Sequence, residues 1–518
     1  MKKFYLFFTI FFHLIPVVGI LSCTNDDIVS DITNSNPVYI ENFAFLKADN
    51  PQLKEDIVLS FDGDSIIEVF IPQLEDKNLV ATYSGKFLST EVDGVFQKSG
   101  KTSNDFSQPV RYTFHGVTDT VSYTIKLRGN NGIPVVRINT ISGEDIVSKD
   151  EYVDAWIHFS NQPDWHSIDS LCKIKGRGHG SWDCDKKPYK IKFNKRTSVF
   201  GNPACKDWVL LSLYDDRSLI RTSLMFELSQ RAGFEYTANY QHVDLYLNNV
   251  YRGVYLLTDQ IEADKNRVQV EDDGFLIEQD KYYESEVLWF TTFAFYYQYV
   301  FKYPNADKGK IVKDDDRYNY ISDYMVNVEK AIKDIEQGDL STYRDYIDVR
   351  SFARWYMCEQ LLANYDVNYY YILPSLGEKL YAGPLWDADW SLGNGGIDLE
   401  GWFKPPFQID PQAAVLYRST GYYKWLTLDP YFNEVVYEEW SKVKNVLPQI
   451  PSDMEQLCLK LQYAQHSNFY LWPILGVYRG NWLTNFATWK EETDYVIDFF
   501  VRRCEWAEDY FSRCCKTK

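Results

Sequence analysis

Three stretches of this 518-residue chain hold residue types and spacings that can do chemistry. The first is Lys175-Gly-Arg-Gly-His-Gly-Ser-Trp182, followed by Lys186-Lys-Pro-Tyr-Lys-Ile-Lys-Phe193. Gly176, Gly178 and Gly180 let backbone N–H groups approach an anion, with Arg177 and Ser181 beside them. Lys190 and Lys192 alternate on a strand expected over 190–193, so both ammonium groups project from one face. Phosphate would answer that charge; a glycine hairpin with a solvated lysine face is the structural alternative. The second stretch is Asn364-Tyr-Asp366-Val-Asn368, directly after a helix expected over 349–363. Asp366 there can take a proton from a hydroxyl, or simply close a helix end and turn. The third is Tyr381-Ala-Gly-Pro-Leu-Trp-Asp387-Ala-Asp389-Trp-Ser-Leu-Gly-Asn394. Asp387 and Asp389 follow an apolar strand. Such hard oxygen donors suit Mg²⁺, which takes one or two carboxylates plus phosphate oxygens, or they hold a tryptophan-rich turn.

These groups need elements to carry them. Over 38–128 the hydropathy alternates with period two. A hairpin is expected over 56–71 with Asp62-Gly63 at its turn, and further strands over 110–114 and 122–127. That pattern predicts a β-sandwich over 38–130 with no chemistry of its own. After the turn-rich join at 129–132 a second domain begins, mixed through residue 280, with strands at 190–193, 208–213 and 243–247 around one helix at 216–231. Asp215 and Asp216 read as its N-terminal cap and Gly233 as its stop. From 318 onward the period is helical, with helices expected over 323–336, 349–363, 430–446, 454–465 and 489–512. The fold class is α+β: a sandwich, then a β-rich small lobe over 131–280 and a helical large lobe over 318–518. A site would lie in the cleft between the lobes. Residues 281–317 read as an insertion near it. The order of glycine loop, strand lysine, candidate base and metal acid is the order of parts in a protein kinase.

Together these segments resemble the CotH kinase family of secreted atypical kinases. The likeness also rests on Trp208-Val-Leu-Leu-Ser-Leu-Tyr-Asp-Asp216 with Arg221, and on Leu245-Tyr-Leu-Asn-Asn-Val-Tyr-Arg-Gly-Val-Tyr-Leu-Leu257. The resemblance implies a divergent two-lobed protein kinase that uses ATP with Mg²⁺ or Mn²⁺ and acts on Ser or Thr of a protein acceptor. It implies that Lys190 or Lys192 holds the α- and β-phosphates, under a loop of Gly176, Arg177, Gly178, Gly180 and Ser181. It makes Asp366 the catalytic Asp, Asp387 a metal ligand and Asp389 a second. Residues 256–259, ending at Asp259, would lie beside adenine, and Glu227, with Glu262 as rival, would pair with the lysine. Two positions depart from the family pattern. Members place an Asn four or five residues after the catalytic Asp, where this chain has Tyr370 and Tyr371, so Asn368 is the one amide near enough to serve a second metal. Members also place an aromatic where Ala388 stands. A non-catalytic member that binds a protein or glycan partner therefore stays open. A glycosidase does not fit, because Asp387 and Asp389, two apart on one face, do not oppose each other across a cleft.

The setting is expected to be extracytoplasmic. Met1-Lys-Lys3 and the apolar run to Leu21 read as a leader over 1–22. Ile20-Leu-Ser-Cys23 resembles a lipobox, with a lipidated Cys23 as the membrane anchor and a tether over 23–37. Asp26-Asp27 resembles the surface-export signal of Bacteroidetes outer-membrane lipoproteins, which commonly place an immunoglobulin-like module before the working domain. With 54 basic and 73 acidic residues the chain carries a net charge of −19, which argues against a nucleic-acid partner. The absence of CxxC and HxxxH spacing argues against a zinc enzyme.

Overall fold

The computed structural model describes residues 37–53, 56–59, 66–71, 74, 76–128, 131–160, 168–397, 403–404, 410–412, 421–478 and 483–516. The expected leader, Cys23 and all of the tether but its last residue lie outside them. The molecule is mixed α and β, in two compact units that part between Asn130 and Asn131.

Alternation builds the first unit. Along Val110–His115 every second side chain is buried, namely Val110, Tyr112 and Phe114. A five-stranded sheet and a three-stranded sheet share one aromatic core, in which the Phe43 ring stacks on Tyr83 at 5.6 Å and meets Tyr112 edge-on at 5.1 Å. The hairpin expected over 56–71 does not form. Ile57–Val58 pairs with Tyr39–Phe45 in one sheet, and Ile66–Phe70 runs parallel to Thr120–Arg128 in the other. Its turn at Asp62-Gly63 lies outside the described residues. Local pattern marks both strands, but a parallel partner some sixty residues downstream leaves no local trace.

The second unit opens with seven strands: β1 (Val135–Thr140), β2 (Val153–Ser160), β3 (Ile168–Gly176), β4 (Tyr189–Thr197), β5 (Cys205–Leu211), β6 (Tyr240–Leu247) and β7 (Val250–Asp259). They close into a barrel in the order β1-β2-β3-β4-β5-β7-β6, with the parallel β1–β6 pair as the seam. Ile174, Ile191, Trp208, Leu210, Leu245 and Tyr255 fill its interior. Helix α1 (Arg221–Ala232) belongs to a second core, shared with the other faces of β5 and β7 at Val209, Val254 and Leu256. It ends at Gly233 in the left-handed conformation, as expected, but starts five residues later than expected. The Asp216 carboxylate is occupied by the turn ahead of the helix: it accepts from the Ser218 backbone and hydroxyl and reaches the Arg221 N–H at 2.8 Å.

Beyond the barrel, β8 (Phe275–Gln279), β9 (Trp289–Thr291), β10 (Gln298–Tyr303), β11 (Tyr369–Leu373) and β12 (Tyr381–Ala382) form a sheet ordered β9-β10-β8-β11-β12. The antiparallel β8–β11 register pairs Glu278 with Tyr370 and Gln279 with Tyr369. The chain leaving β8 therefore meets the chain entering β11. The longer helices among the described residues are α2 (Asp316–Asp334), α3 (Val349–Leu362), α4 (Pro430–Val443), α5 (Gln449–Leu461), α6 (Ala464–Leu471) and α7 (Trp489–Lys516). The helix expected over 454–465 begins earlier, since Pro451 sits in its first turn, where a missing N–H costs nothing.

Candidate active site

The loop after β12 carries Asp387 and Asp389. It is not a strand: Asp387 has φ +63°, a left-handed conformation uncommon outside glycine. The segment preceding and opening α1 grips this loop. The Thr222 hydroxyl donates to Asp389 Oδ1 at 3.0 Å, and Arg221 Nε to the Ser391 carbonyl at 3.0 Å. Trp390 Nε1 donates to Asp215 Oδ2 at 3.3 Å, and Asn394 Nδ2 to the Asp215 carbonyl at 3.1 Å. Beneath them Arg221 and Asp216 form a fully buried ion pair at 2.7 Å. The aspartates and arginine of the 208–221 motif thus hold the acid loop in place.

One amide joins the acid loop to Asp366. Helix α3 stops at Ala363, which is left-handed, and Asn364 follows. Its Nδ2 donates to the Asp387 carbonyl at 3.0 Å, and its Oδ1 accepts the Asp366 N–H at 3.2 Å. Nothing in the sequence around Asn364 marks it as a bridge; only the folded loops bring its two partners together.

Asp387 feels the charge of Asp366, and Asp389 that of Asp387. Partial loss of water, although the residue keeps exposed surface, raises the Asp387 carboxyl above its ordinary range, and the neighbouring Asp366 charge raises it further. Burial raises Asp389 well above that range too, followed by Asp387, Asp216 and Asp215. Arg177 and Lys281 oppose the shift at Asp387. Among the described residues no group of three or more His, Cys, Asp and Glu side chains converges to hold a metal ion alone. Mg²⁺ needs only one or two protein carboxylates when phosphate and water supply the rest. Asp387 and Asp389, repelling each other beside a third acid, fit such an ion.

The cations that serve this cluster are not all those expected. Lys190 and Lys192 stand on the outer face of β4 and meet Asp207 of β5, at 3.3 and 3.9 Å. Both face Asp207, Lys190 also feels Glu262, and their ion pairs do not reach Asp366 or Asp387. Arg177 is the cation of the first motif that lies near those acids. Its half-buried guanidinium makes no ion pair among the described residues and lies in electrostatic reach of Asp387, Tyr370, Glu278 and Asp389. Burial holds it below its ordinary range, against the pull of those acids.

The glycine loop is shaped by its own side chains. A Cβ on Gly176 would lie 2.3 Å from the Trp182 ring, and one on Gly178, at φ +85°, 2.2 Å from Ser181 Oγ. Gly180 and Ser181 are exposed, with open space where a Gly180 Cβ would stand. Gly176→Ala is expected to push Trp182 aside and destabilise the unit by about 1–3 kcal/mol, seen as a lower urea midpoint at unchanged slope. An unchanged midpoint would mean the loop yields freely.

Three other expected residues are engaged by partners other than those expected. Glu227 accepts from Arg231 and from the Tyr240 hydroxyl, at 2.9 Å for the latter, not from a strand lysine. Asp259 accepts from Tyr236 at 2.9 Å and from Asn239 Nδ2 at 2.8 Å, and is buried. Asn368 donates to Glu278 at 3.0 Å. Arg231 stands at i+4 from Glu227, a pairing that helix spacing allows; the other partners come from neighbours that period and spacing cannot reveal.

The sequence profile of the family described as CotH kinase protein matches residues 174–507, from the end of β3 through most of α7. No curated protein matches the chain.

Proposed function

Starting from the fact that this chain belongs to the CotH kinase family, we propose that it is an ATP-dependent protein kinase with a divergent two-lobed architecture, acting on Ser or Thr of proteins outside the cytoplasm from a lipid anchor at Cys23. The barrel with α1 serves as the small lobe and the helical region as the large one. The observation that supports this reading is the linkage of Asp366 to the Asp387 and Asp389 loop through Asn364, with Arg177 of the glycine loop in electrostatic reach of Asp387 and Asp389.

A divalent cation held by Asp387 and Asp389 neutralises nucleotide phosphate charge when bound. Arg177, between Gly176 and Gly178, adds positive charge on the side of the glycine loop that Asp387 and Asp389 feel. Asp366 orients the acceptor hydroxyl and takes its proton. The hydroxyl oxygen forms the new bond to the γ-phosphorus as the bond to the β,γ-bridging oxygen breaks, and that oxygen leaves with its electron pair on ADP. Asn364 keeps Asp366 and the acid loop in mutual register throughout.

The test is transfer of label from γ-labelled ATP to a Ser-rich protein by the full chain with Mg²⁺ or Mn²⁺. Asp366→Ala is expected to lower the rate about 10²–10⁴-fold. A rate unchanged in that variant removes Asp366 from the chemistry. One observation favours the non-catalytic alternative: Asn368 is taken up by Glu278, and Tyr370 and Tyr371 stand where a further amide would be. Under that alternative ATP at 100 times its Kd still stabilises the protein by about 2.7 kcal/mol, with no label transferred.

A further inference from the structure

Lys281 belongs to none of the motifs. It lies at the start of the 281–317 insertion, in the first turn after β8. The β8–β11 register carries it to the mouth of the Asp366 loop, where its Nζ donates to Asp366 Oδ1 at 2.6 Å. It also lies within electrostatic reach of Asp387. The short segment that bears it is fastened at several points. Lys302 clips its two ends, pairing with Glu278 at 2.9 Å and Glu286 at 3.1 Å. The Asp280 carboxylate accepts the Tyr282 N–H at 2.7 Å. The Tyr282 ring stacks on His179 of the glycine loop at 4.2 Å and carries the Lys281 ammonium 5.4 Å from its centre. The segment thus touches the glycine loop on one side and Asp366 on the other.

We infer that Lys281 is the cation that meets the terminal phosphate of the nucleotide, a second catalytic residue beside Asp366. An acceptor hydroxyl bonded to Asp366 lies between that carboxylate and the γ-phosphorus. An ammonium at hydrogen-bond distance from the same carboxylate can therefore turn to the γ-phosphoryl oxygens as the acceptor takes its place. The charge on those oxygens is present in ATP and absent in ADP. The pair itself is a weak anchor: Lys281 is 62% and Asp366 47% exposed, a setting in which an ion pair adds little stability. Variants at 281 should fold.

The inference rests on the nucleotide-binding reading above, and binding separates the two. Affinities of the full chain for ATP and for ADP, each with Mg²⁺, are measured by calorimetry for wild type, Lys281→Met and Lys281→Arg. Lys281→Met is expected to weaken ATP roughly ten- to a hundredfold, as loss of a charged hydrogen bond does, and to leave ADP unchanged. Lys281→Arg should restore most of the loss, and the turnover number should follow the ATP affinity. Equal weakening of ATP and ADP, or none, overturns the inference. So does a faster Lys281→Met enzyme, which would make the lysine an inhibitory cover on Asp366. ATP binding without transfer in wild type ends the kinase reading and any catalytic part for Lys281, while the ATP-to-ADP ratio still decides whether Lys281 meets the terminal phosphate. Failure of both nucleotides to bind overturns both.

Discussion

Asp387→Asn is expected to abolish metal-dependent nucleotide binding and lower any phosphoryl transfer roughly a thousandfold or more, while leaving the protein at least as stable. The loss follows from charge: a divalent ion supplies several kcal/mol of stabilisation to a transferring phosphoryl group, and the neutral amide no longer holds it. The preserved stability follows from what the carboxylate does in the folded protein. It has no hydrogen bond or ion pair to a described residue, keeps a solvent-exposed edge, and is crowded by Asp366 and Asp389. Removing one of several repelling charges relieves the others. Its backbone carbonyl, which Asn364 uses, is untouched. Calorimetric titration with ATP and Mg²⁺ and a thermal melt of the same variant check both halves. Undiminished metal-dependent binding would place the ion elsewhere. A large fall in Tm would make Asp387 a structural residue.

The second large effect is on folding. Arg221→Met is expected to destabilise the second unit by about 3–5 kcal/mol, a large share of the 5–15 kcal/mol typical of a whole protein. Asp216 and Arg221 are both fully buried, so removing the guanidinium strands a carboxylate away from water. The same change releases the Ser391 carbonyl and with it the hold on the acid loop. Nucleotide affinity should therefore fall even where the variant remains folded. The double variant Asp216→Asn/Arg221→Met should recover part of the loss, because no buried charge is left unpaired. Urea midpoints of the two single variants and the double measure this. Additive losses would show that the pair does not act as a unit.

The candidate site was legible where chemistry is carried by short segments. Gly176 to Ser181, Asp366 and the pair Asp387 and Asp389 lie in motifs whose composition announces charge, tight turns and hard oxygen ligands. What those motifs could not convey is which partner each side chain takes. Lys190 and Lys192 were placed on one face of a strand, and they are; that face is the outside of a barrel, where Asp207 waits on the next strand. Asp216 has the residue type of a helix cap, yet its carboxylate serves a turn and a buried arginine. Asp62-Gly63 promised a hairpin, and the flanking strands went to different sheets. Lys281 gave no signal at all, being a single lysine in a segment of mixed composition.

Taken alone, the amino-acid order determined what depends on near neighbours. It set the alternation that buries Tyr112 and Phe114, the helical period of the C-terminal half, the stop at Gly233, and the family motifs themselves. These follow from backbone dihedrals and from side chains within a few residues of one another. The tertiary structure alone decided closure of seven strands into a barrel, the grip of Thr222 and Arg221 on the acid loop, and the pairing of Lys281 with Asp366 across 85 residues of chain. Such choices depend on strand register and on competition between distant groups for the same buried charge, and neither is written in any local stretch.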